Sequence, residues 1–220
     1  LSRNHVSNNP KAFAANIDWA FRMVCLLGIP AAVGLGVMAR PILTVIFQRG
    51  AFTAETAIMA SYSLTAYSFG LLSFMLVKIL APGFYSRQDT KTPVKFGIWC
   101  MVANMVFNLI LAIPFGYVGL AVATSMSATL NAALLYITLH KQGVFALSRT
   151  SVLFIARVVI ASAAMGGLIY YRDKGLGFFE LSLSAQMLEV GITISLSVIL
   201  FVSTMVVLGM RPRHFRSGGE

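Results

Sequence analysis

Long apolar segments alternate with short polar segments along the whole chain. A helix needs roughly 20 apolar residues to cross the hydrocarbon core of a bilayer, and only helices or closed barrels satisfy their backbone groups there. The alternation of apolar and polar residues that marks barrel strands does not recur in this sequence. The pattern therefore predicts an all-α integral membrane protein with six transmembrane helices, at residues 17–39, 57–80, 94–113, 118–139, 152–171 and 186–209.

The densest polar stretch runs from Lys78 to Lys95, between the second and third predicted helices. Pro82 and Gly83 are predicted to end the second helix, because proline lacks an amide donor and glycine tolerates the backbone angles of a helix exit. Pro93 suits the first turn of the next helix. The stretch is therefore predicted to form a loop between two helices. It carries one acid, Asp89, and four cations, which are Arg87, Lys91, Lys95 and the inward-lying Lys78.

The second predicted helix contains an unusual number of polar residues for a membrane span, among them Tyr62, Tyr67 and several serines. Such a helix is expected to face other helices or a cavity rather than lipid on all sides. Lys78 lies near its inner end. Two interpretations of this lysine stay open: its long side chain snorkels to the headgroups, or it faces a cavity.

Two connections between helices have features of their own. Residues 40–56 are predicted to form an external connection, since the apolar segment at residues 42–47 is too short to span. Only a tight turn near Pro114 separates the third and fourth helices, which are therefore predicted to form an antiparallel hairpin. The fourth helix has a face of small residues that permits close helix packing. These are Gly119, Ala121, Ala123, Ser125, Ser127, Ala128 and Ala132.

The composition agrees with a membrane protein. Hydrophobic residues make up 58% of the chain, charged residues only 11%, and the mean hydropathy is +0.81. Such a chain cannot cover a soluble globule with polar side chains. The net charge of +10 would suit a nucleic-acid partner, but the basic residues cluster at the ends of apolar runs, as in cytoplasmic loops beside anionic lipids. We therefore predict membrane lipids as partners and no nucleic acid.

The distribution of lysine and arginine predicts the orientation. One set of loops and ends holds ten of these residues and the other set holds four, and the richer side should be cytoplasmic. Both ends of the chain then lie in the cytoplasm. The richer set is Arg3, Lys11, Arg87, Lys91, Lys95, Lys141, Arg149, Arg211, Arg213 and Arg216, and the poorer set is Arg40, Arg49, Arg172 and Lys174.

The sequence offers little to an enzyme. Catalysis on a lipid would need a nucleophile with a base, or paired carboxylates. The glutamates are instead scattered, and Cys25 and Cys100 lie within apolar runs without metal-binding spacing. We therefore predict no catalytic residue, no metal site and no enzymatic activity. Asp18 and Arg22, four residues apart, are predicted to form a local ion pair on one face of the first helix.

The loop from Leu80 to Lys95, LAPGFYSRQDTKTPVK, closely resembles the central cytoplasmic loop of the MurJ (MviN) family of lipid II flippases. Three further stretches agree with that family in order and spacing. They are residues 47–53 (FQRGAFT), residues 66–71 (AYSFGL), and residues 119–125 (GLAVATS) with the nearby Leu130-Asn131-Ala132. The resemblance covers most of residues 1–145, and beyond them it rests on hydropathy and the basic tail.

The resemblance implies a bacterial inner-membrane protein of fourteen helices, in the superfamily of multidrug, oligosaccharidyl-lipid and polysaccharide exporters. This chain resembles helices nine to fourteen, so we expect its partners to include the missing N-terminal helices. Residues 1–145 would belong to the C-terminal lobe, residues 146–210 would form two accessory helices, and residues 211–220 a basic cytoplasmic tail. The chain begins at Leu1 without a leader, which agrees with this expectation.

The implied function is the flipping of lipid II, a diphosphate-linked cell-wall precursor, by alternating access. The loop cations Lys78, Arg87, Lys91 and Lys95 would then meet the anionic headgroup. By analogy, the last two helices, residues 152–209, would border a groove for the polyprenyl tail. The alternative is an exporter of another polyprenyl-linked glycan or of a drug.

A polar cluster is predicted between the third and fourth helices. Asn104 and Asn108 lie one turn apart on one face, and the tight turn sets Thr124 at the depth of Asn108. Interhelical hydrogen bonds are one interpretation. The other, implied by similar positions in some members of the family, is a sodium site that includes a carbonyl near Leu120. Asn108 stands where those members have a carboxylate, and the neutral amide weakens cation binding. No cofactor other than this sodium ion is expected.

Overall fold

The computed structural model describes residues 10–47, 52–175 and 178–210. Within these ranges the chain forms helices and turns and no strand, so the predicted all-α membrane fold is confirmed. The predicted basic tail lies outside the described residues, as do residues 48–51 of a turn that the sequence predicts over residues 48–53. A single 3₁₀ turn, Phe178–Glu180, precedes the last helix. The helices are α1 (Pro10–Val37), α2 (Ala39–Phe47), α3 (Ala54–Tyr85), α4 (Lys91–Lys141), α5 (Arg149–Gly175) and α6 (Leu183–Val207).

Five of the described helices are long and apolar enough to cross a membrane, and α4 is long enough to cross it twice. Its 51 residues would extend about 77 Å as a straight helix, whereas the hydrocarbon core is about 30 Å thick. The backbone leaves the helical conformation at Gly116, with φ 55° and ψ −133°. We call residues 91–115 the first arm of α4 and residues 117–141 its second arm.

The two arms of α4 fold back on each other. The Ser127 hydroxyl donates to the Cys100 carbonyl oxygen at 2.6 Å, although 27 residues separate them. Nearer the turn, a Cβ atom added to Gly119 would lie 2.1 Å from the Leu111 carbonyl oxygen. The predicted antiparallel hairpin is therefore confirmed. Counting each arm separately, the described residues contain six apolar segments of membrane-spanning length, as the sequence predicted.

The predicted end of the second transmembrane helix is wrong. Helix α3 continues through Pro82 and Gly83 to Tyr85, so the connecting loop is only residues 86–90. Proline inside a helix removes one backbone hydrogen bond, and here the packed helix tolerates that loss. Gly83 serves packing, since a Cβ atom there would lie 3.3 Å from Leu139. The chain instead turns at Gln88, whose φ of 61° is left-handed. We call the side of residues 86–90 the inner side and the opposite side the outer side.

Helix α1 lies between two groups of helices. On one side it packs against α3, which in turn packs against both arms of α4. On the other side it packs against α5, and α6 packs against α5. A buried cluster at the inner ends of α1, α3 and the second arm contains Phe13, Ile17, Leu80, Phe84, Leu135 and Leu139. A second cluster, Phe154, Val158, Ala161 and Met205, joins α5 to α6.

The predicted ion pair in α1 is confirmed and is part of a larger network. Arg22 Nε lies 3.6 Å from Asp18 Oδ2. The Ser151 hydroxyl donates to the same carboxylate oxygen at 2.6 Å, and the Ser148 hydroxyl does so at 3.4 Å. Both serines lie at the start of α5, where a carboxylate is favoured by the helix dipole. The network therefore fixes the inner end of α5 to α1.

Candidate functional site

A cavity of about 620 Å³ lies between α3 and the two arms of α4. Helix α3 contributes Lys78, the first arm contributes Asn104, and the second arm contributes Thr124, Ser127 and Asn131. The remaining lining is apolar and includes Phe74, Val77 and Met101. We call this space the polar cavity, because three separate helical segments each bring polar side chains to it.

The polar cavity brings together part of the polar cluster predicted from the sequence. Asn104 and Thr124 both line it, whereas Asn108, one turn farther towards the outer side, does not. Asn131 lines it and was not among the predicted site residues. Asn131 follows Thr124 by seven residues, or about two helical turns, so the two side chains share a face. Helical spacing could therefore have identified Asn131.

The amide oxygens of this region lack hydrogen-bond partners. Among the described residues, the Oδ1 atoms of Asn104, Asn108 and Asn131 are buried without a partner. The Thr124 hydroxyl donates to the Leu120 carbonyl oxygen at 2.8 Å, which leaves its own lone pairs free to accept. A buried unpaired acceptor costs about 1–3 kcal/mol. The polar cavity is thus rich in unused acceptors beside one cationic donor, Lys78.

The other three predicted headgroup cations lie on the inner side and do not line the polar cavity. Arg87 Nη1 donates to Gln142 Oε1 at 2.5 Å, which links the 86–90 loop to the end of α4. Lys95 Nζ lies 4.9 Å from the ring centroid of Trp99. Lys91 is exposed at the first turn of α4. The structure therefore separates Lys78 from the cations of the loop.

Asp89 fixes the shape of the inner loop. Its Oδ1 atom accepts the backbone amide of Thr92 at 3.0 Å, so the carboxylate caps the start of α4. Hydrogen bonds from the side chain and backbone of Thr92, together with the nearby charge of Arg87, hold the pKa of Asp89 below its ordinary value. The single acid of the loop therefore stays ionised and orders the loop.

An apolar groove of about 660 Å³ lies between α1, α5 and α6. It extends from Met210 on the inner side to Met38 and Ile42 on the outer side. Ser197 is polar but donates its hydroxyl proton to the Thr193 carbonyl oxygen at 2.6 Å. The resemblance implied a groove at α5 and α6, but the wall formed by α1 was not predicted. Residues of that wall include Leu26, Leu27, Pro30, Ala31, Gly34 and Leu35.

Charged residues lie near the outer end of this groove, although none of them lines it. Arg172 pairs with Glu189 at 2.8 Å, and its Nε donates to the Thr193 hydroxyl at 3.3 Å. The Arg40 guanidinium lies 3.8 Å from the ring centroid of Phe179.

Among the described residues, no group of three or more His, Cys, Asp or Glu side chains could hold a metal ion. Cys25 and Cys100 are free and buried.

Comparisons with known proteins identify relatives of the whole chain. The family model described as "Lipid II flippase MurJ" matches residues 1–184. The chain is 51% identical over its full length to a probable lipid II flippase MurJ of Vibrio cholerae serotype O1. It is 32% identical, over 98% of its length, to the lipid II flippase MurJ of Burkholderia cenocepacia. In both cases it spans 42% of the length of the relative.

A solved structure has the same fold. The lipid II flippase MurJ in an inward closed conformation superposes with a TM-score of 0.75. The superposition covers 92% of this chain and 40% of that protein, at 22% sequence identity. At this identity the likeness shows the fold alone.

Proposed function

This chain belongs to the MurJ family of lipid II flippases and is a multi-pass inner-membrane protein, and we propose that it supplies part of the path by which lipid II crosses that membrane. Because it spans 42% of the length of its relatives, the activity is proposed for a complete transporter that contains these helices. The transport would run from the cytoplasmic to the outer leaflet by alternating access.

The observation that supports this function is the presence of two unlike spaces in one helical chain. The polar cavity between α3 and α4 offers a cation and several acceptors, and the groove between α1, α5 and α6 is almost entirely apolar. A lipid with an anionic diphosphate head and a long hydrocarbon tail needs one space of each kind. Polar groups within a membrane span are costly, which favours a transport path over a simple anchor.

For the headgroup, we propose a sequence of cations rather than one cluster. Arg87, Lys91 and Lys95 on the inner side would attract the diphosphate, and Lys78 would meet it deeper in the polar cavity. The bond to Gln142 uses one of the five N–H groups of Arg87, so its guanidinium keeps donors for a phosphate. Cations near a membrane surface attract anionic lipid by about 1 kcal/mol each.

For the tail, we propose the apolar groove. Its volume of about 660 Å³ lies within the usual range of ligand-binding spaces, roughly 300–1,000 Å³. Its wall of methionines, leucines and Phe201 can adapt to a flexible chain, since methionine side chains are unbranched and pliable. The charged residues Arg172 and Arg40 near its outer end would keep the tail below the outer surface.

For the orientation, we propose that the inner side faces the cytoplasm, together with both ends of the chain. The excess of lysine and arginine on that side supports it. Sodium coupling through Asn104, Asn108 and Thr124 stays a prediction, and the structure places only two of these three residues at the polar cavity.

The proposed function is tested by depleting the complete protein that contains this chain and measuring polyprenyl-linked lipids in each leaflet. We expect lipid II to accumulate in the cytoplasmic leaflet, and the wild-type gene supplied in trans should restore its distribution. A normal lipid II distribution with accumulation of another polyprenyl-linked glycan would favour the alternative exporter. A normal distribution of all such lipids would favour a drug exporter.

A further inference from the structure

Lys78 is the only charged residue among the described residues that line the polar cavity. It is exposed to that space, and its ammonium has three donors and no acceptor. Opposite it, two lining residues, Asn104 and Asn131, each have a buried Oδ1 atom without a hydrogen-bond partner. The cavity is therefore lined by one donor and by two amides with unpaired oxygens, carried by three different helical segments.

We propose that Asn104 and Asn131 are positioning residues that hold the Lys78 ammonium in the polar cavity, where it takes the place predicted for a sodium ion. Lys78 belongs to α3, Asn104 to the first arm of α4 and Asn131 to its second arm. A hydrogen bond to each amide oxygen would satisfy both acceptors and join the three segments. The third N–H of the ammonium would remain directed at the cavity.

The lining of the cavity does not fit a sodium ion. Its oxygen donors are neutral amides and hydroxyls, and the described lining residues include no carboxylate to offset a second positive charge. Lys78 already places one positive charge there, and like charges repel strongly where water is scarce. Asn108, which the sequence analysis assigned to the ion, does not line the cavity. A tethered ammonium fits the same oxygens without these costs.

The inference deepens the proposed function and rests on it in one respect. The third N–H of Lys78 would meet a phosphate oxygen of the transported lipid only if the protein moves such a lipid. The hydrogen bonds from the ammonium to Asn104 and Asn131 do not require that function. The two claims can therefore fail separately.

The first test is a double-mutant cycle on the complete protein, purified in detergent and unfolded by heat. We expect Lys78→Met and Asn131→Leu each to lower Tm. The Tm of the double variant should be no lower than that of the less stable single variant, because both substitutions break the same interaction. Lys78→Met with Asn108→Leu is the matched control pair and should give additive shifts, since Asn108 lies outside the cavity. Additive shifts for Lys78 and Asn131 would overturn the inference. If Lys78→Met does not fold, Lys78→Gln replaces it in both pairs.

The second test uses small cations. Wild-type Tm should be the same in sodium chloride and choline chloride at equal ionic strength, whereas methylammonium chloride should raise the Tm of Lys78→Ala. A sodium-specific rise in wild-type Tm that disappears in Asn104→Leu would overturn the inference. A third result is that the Lys78 variants show non-additive Tm shifts with Asn131→Leu and yet transport lipid II at the wild-type rate. That result would support the inference and contradict a headgroup role for Lys78.

Discussion

The polar cavity and the apolar groove are similar in size, about 620 Å³ and 660 Å³, but their walls are held together differently. Around the cavity, side-chain hydrogen bonds cross between helices. The Ser127 hydroxyl donates to the Cys100 carbonyl oxygen at 2.6 Å, and both residues line the cavity. Between α3 and α4, the Ser125 hydroxyl donates to the Ala66 carbonyl oxygen at 2.8 Å. Along the groove, α5 and α6 pack through buried apolar residues such as Phe154 and Met205. Side-chain bonds between the groove helices lie towards its two ends, at Asp18 and at Arg172.

This difference follows from the physics of helix association in lipid. Lipid tails are as apolar as leucine, so close packing and interhelical hydrogen bonds drive association instead of the hydrophobic effect. The helices that form the cavity use small residues for this purpose: a Cβ atom added to Gly70 of α3 would lie 2.6 Å from the Ser125 hydroxyl oxygen of α4. The groove walls leave a gap that apolar side chains do not fill. The first region is therefore expected to be intolerant of added volume, and the second to be tolerant.

The largest expected effect is on the α4 hairpin, whose two arms form two walls of the cavity. Gly119→Ala places a methyl group 2.1 Å from the Leu111 carbonyl oxygen, so the two arms of α4 must separate. Overpacking costs about 1–3 kcal/mol, and so short an approach to a backbone atom belongs at the upper end of that range. We expect a clear fall in the thermal stability of the complete protein in detergent, together with loss of lipid II transport.

Gly97→Ala is the control for this prediction. Gly97 lies in the first arm of α4 and lines the polar cavity, and a Cβ atom added there meets no atom within 4 Å. The substitution should leave thermal stability unchanged or slightly raised, because alanine favours the helix over glycine. Equal destabilisation by the two substitutions would show that the close approach at Gly119 does not hold the arms together.

The next effect concerns the groove. Val198 and Ile199 are neighbours on α6 and both are exposed, but only Val198 lines the groove. Val198→Trp should occupy space that the tail would use, whereas Ile199→Trp is the matched control. If the Trp side chain displaces two methylene-sized groups of the tail from the groove, binding of the lipid weakens by about 1.6 kcal/mol. This is roughly a tenfold loss in affinity for the lipid. We expect about a tenfold slower transport of lipid II by Val198→Trp at unchanged Tm.

Transport of a lipid II analogue with a shorter polyprenyl tail gives a more specific test of this prediction. Its transport should be less affected by Val198→Trp, because a shorter tail needs less of the groove. Equal rates for the Val198→Trp and Ile199→Trp variants would contradict the assignment of the tail to this groove.

The sequence predicted the helices well, because membrane spans have a strong length and hydropathy signal. The hairpin at Gly116 could also be predicted from its tight turn. The end of α3 could not, since Pro82 and Gly83 look like a terminator, and only the packing of Gly83 on Leu139 shows why the helix continues. Local propensity was outweighed there by tertiary contacts.

The site was partly predictable for a similar reason. Asn104 and Thr124 were identified because polar residues deep in an apolar helix need partners. Asn131 could have been added by its helical spacing from Thr124, but the contribution of Lys78 depends on how α3 packs against α4, which no single-helix pattern reveals. The same holds for Asp18, whose partners Ser148 and Ser151 come from the start of α5.

The smallest expected effect is at the inner loop. Two substitutions there distinguish a role of Arg87 in capturing the lipid from a role in holding the loop in place. Arg87→Gln removes a cation worth about 1 kcal/mol of headgroup attraction, which corresponds to about a fivefold loss of transport. Gln142→Ala leaves that charge in place but removes the 2.5 Å hydrogen bond from Arg87. If Arg87 captures the diphosphate, Gln142→Ala should transport at the wild-type rate or faster, since the guanidinium regains a donor. Initial rates in proteoliposomes check both variants; equal losses would mean that Arg87 acts by folding the loop onto the end of α4.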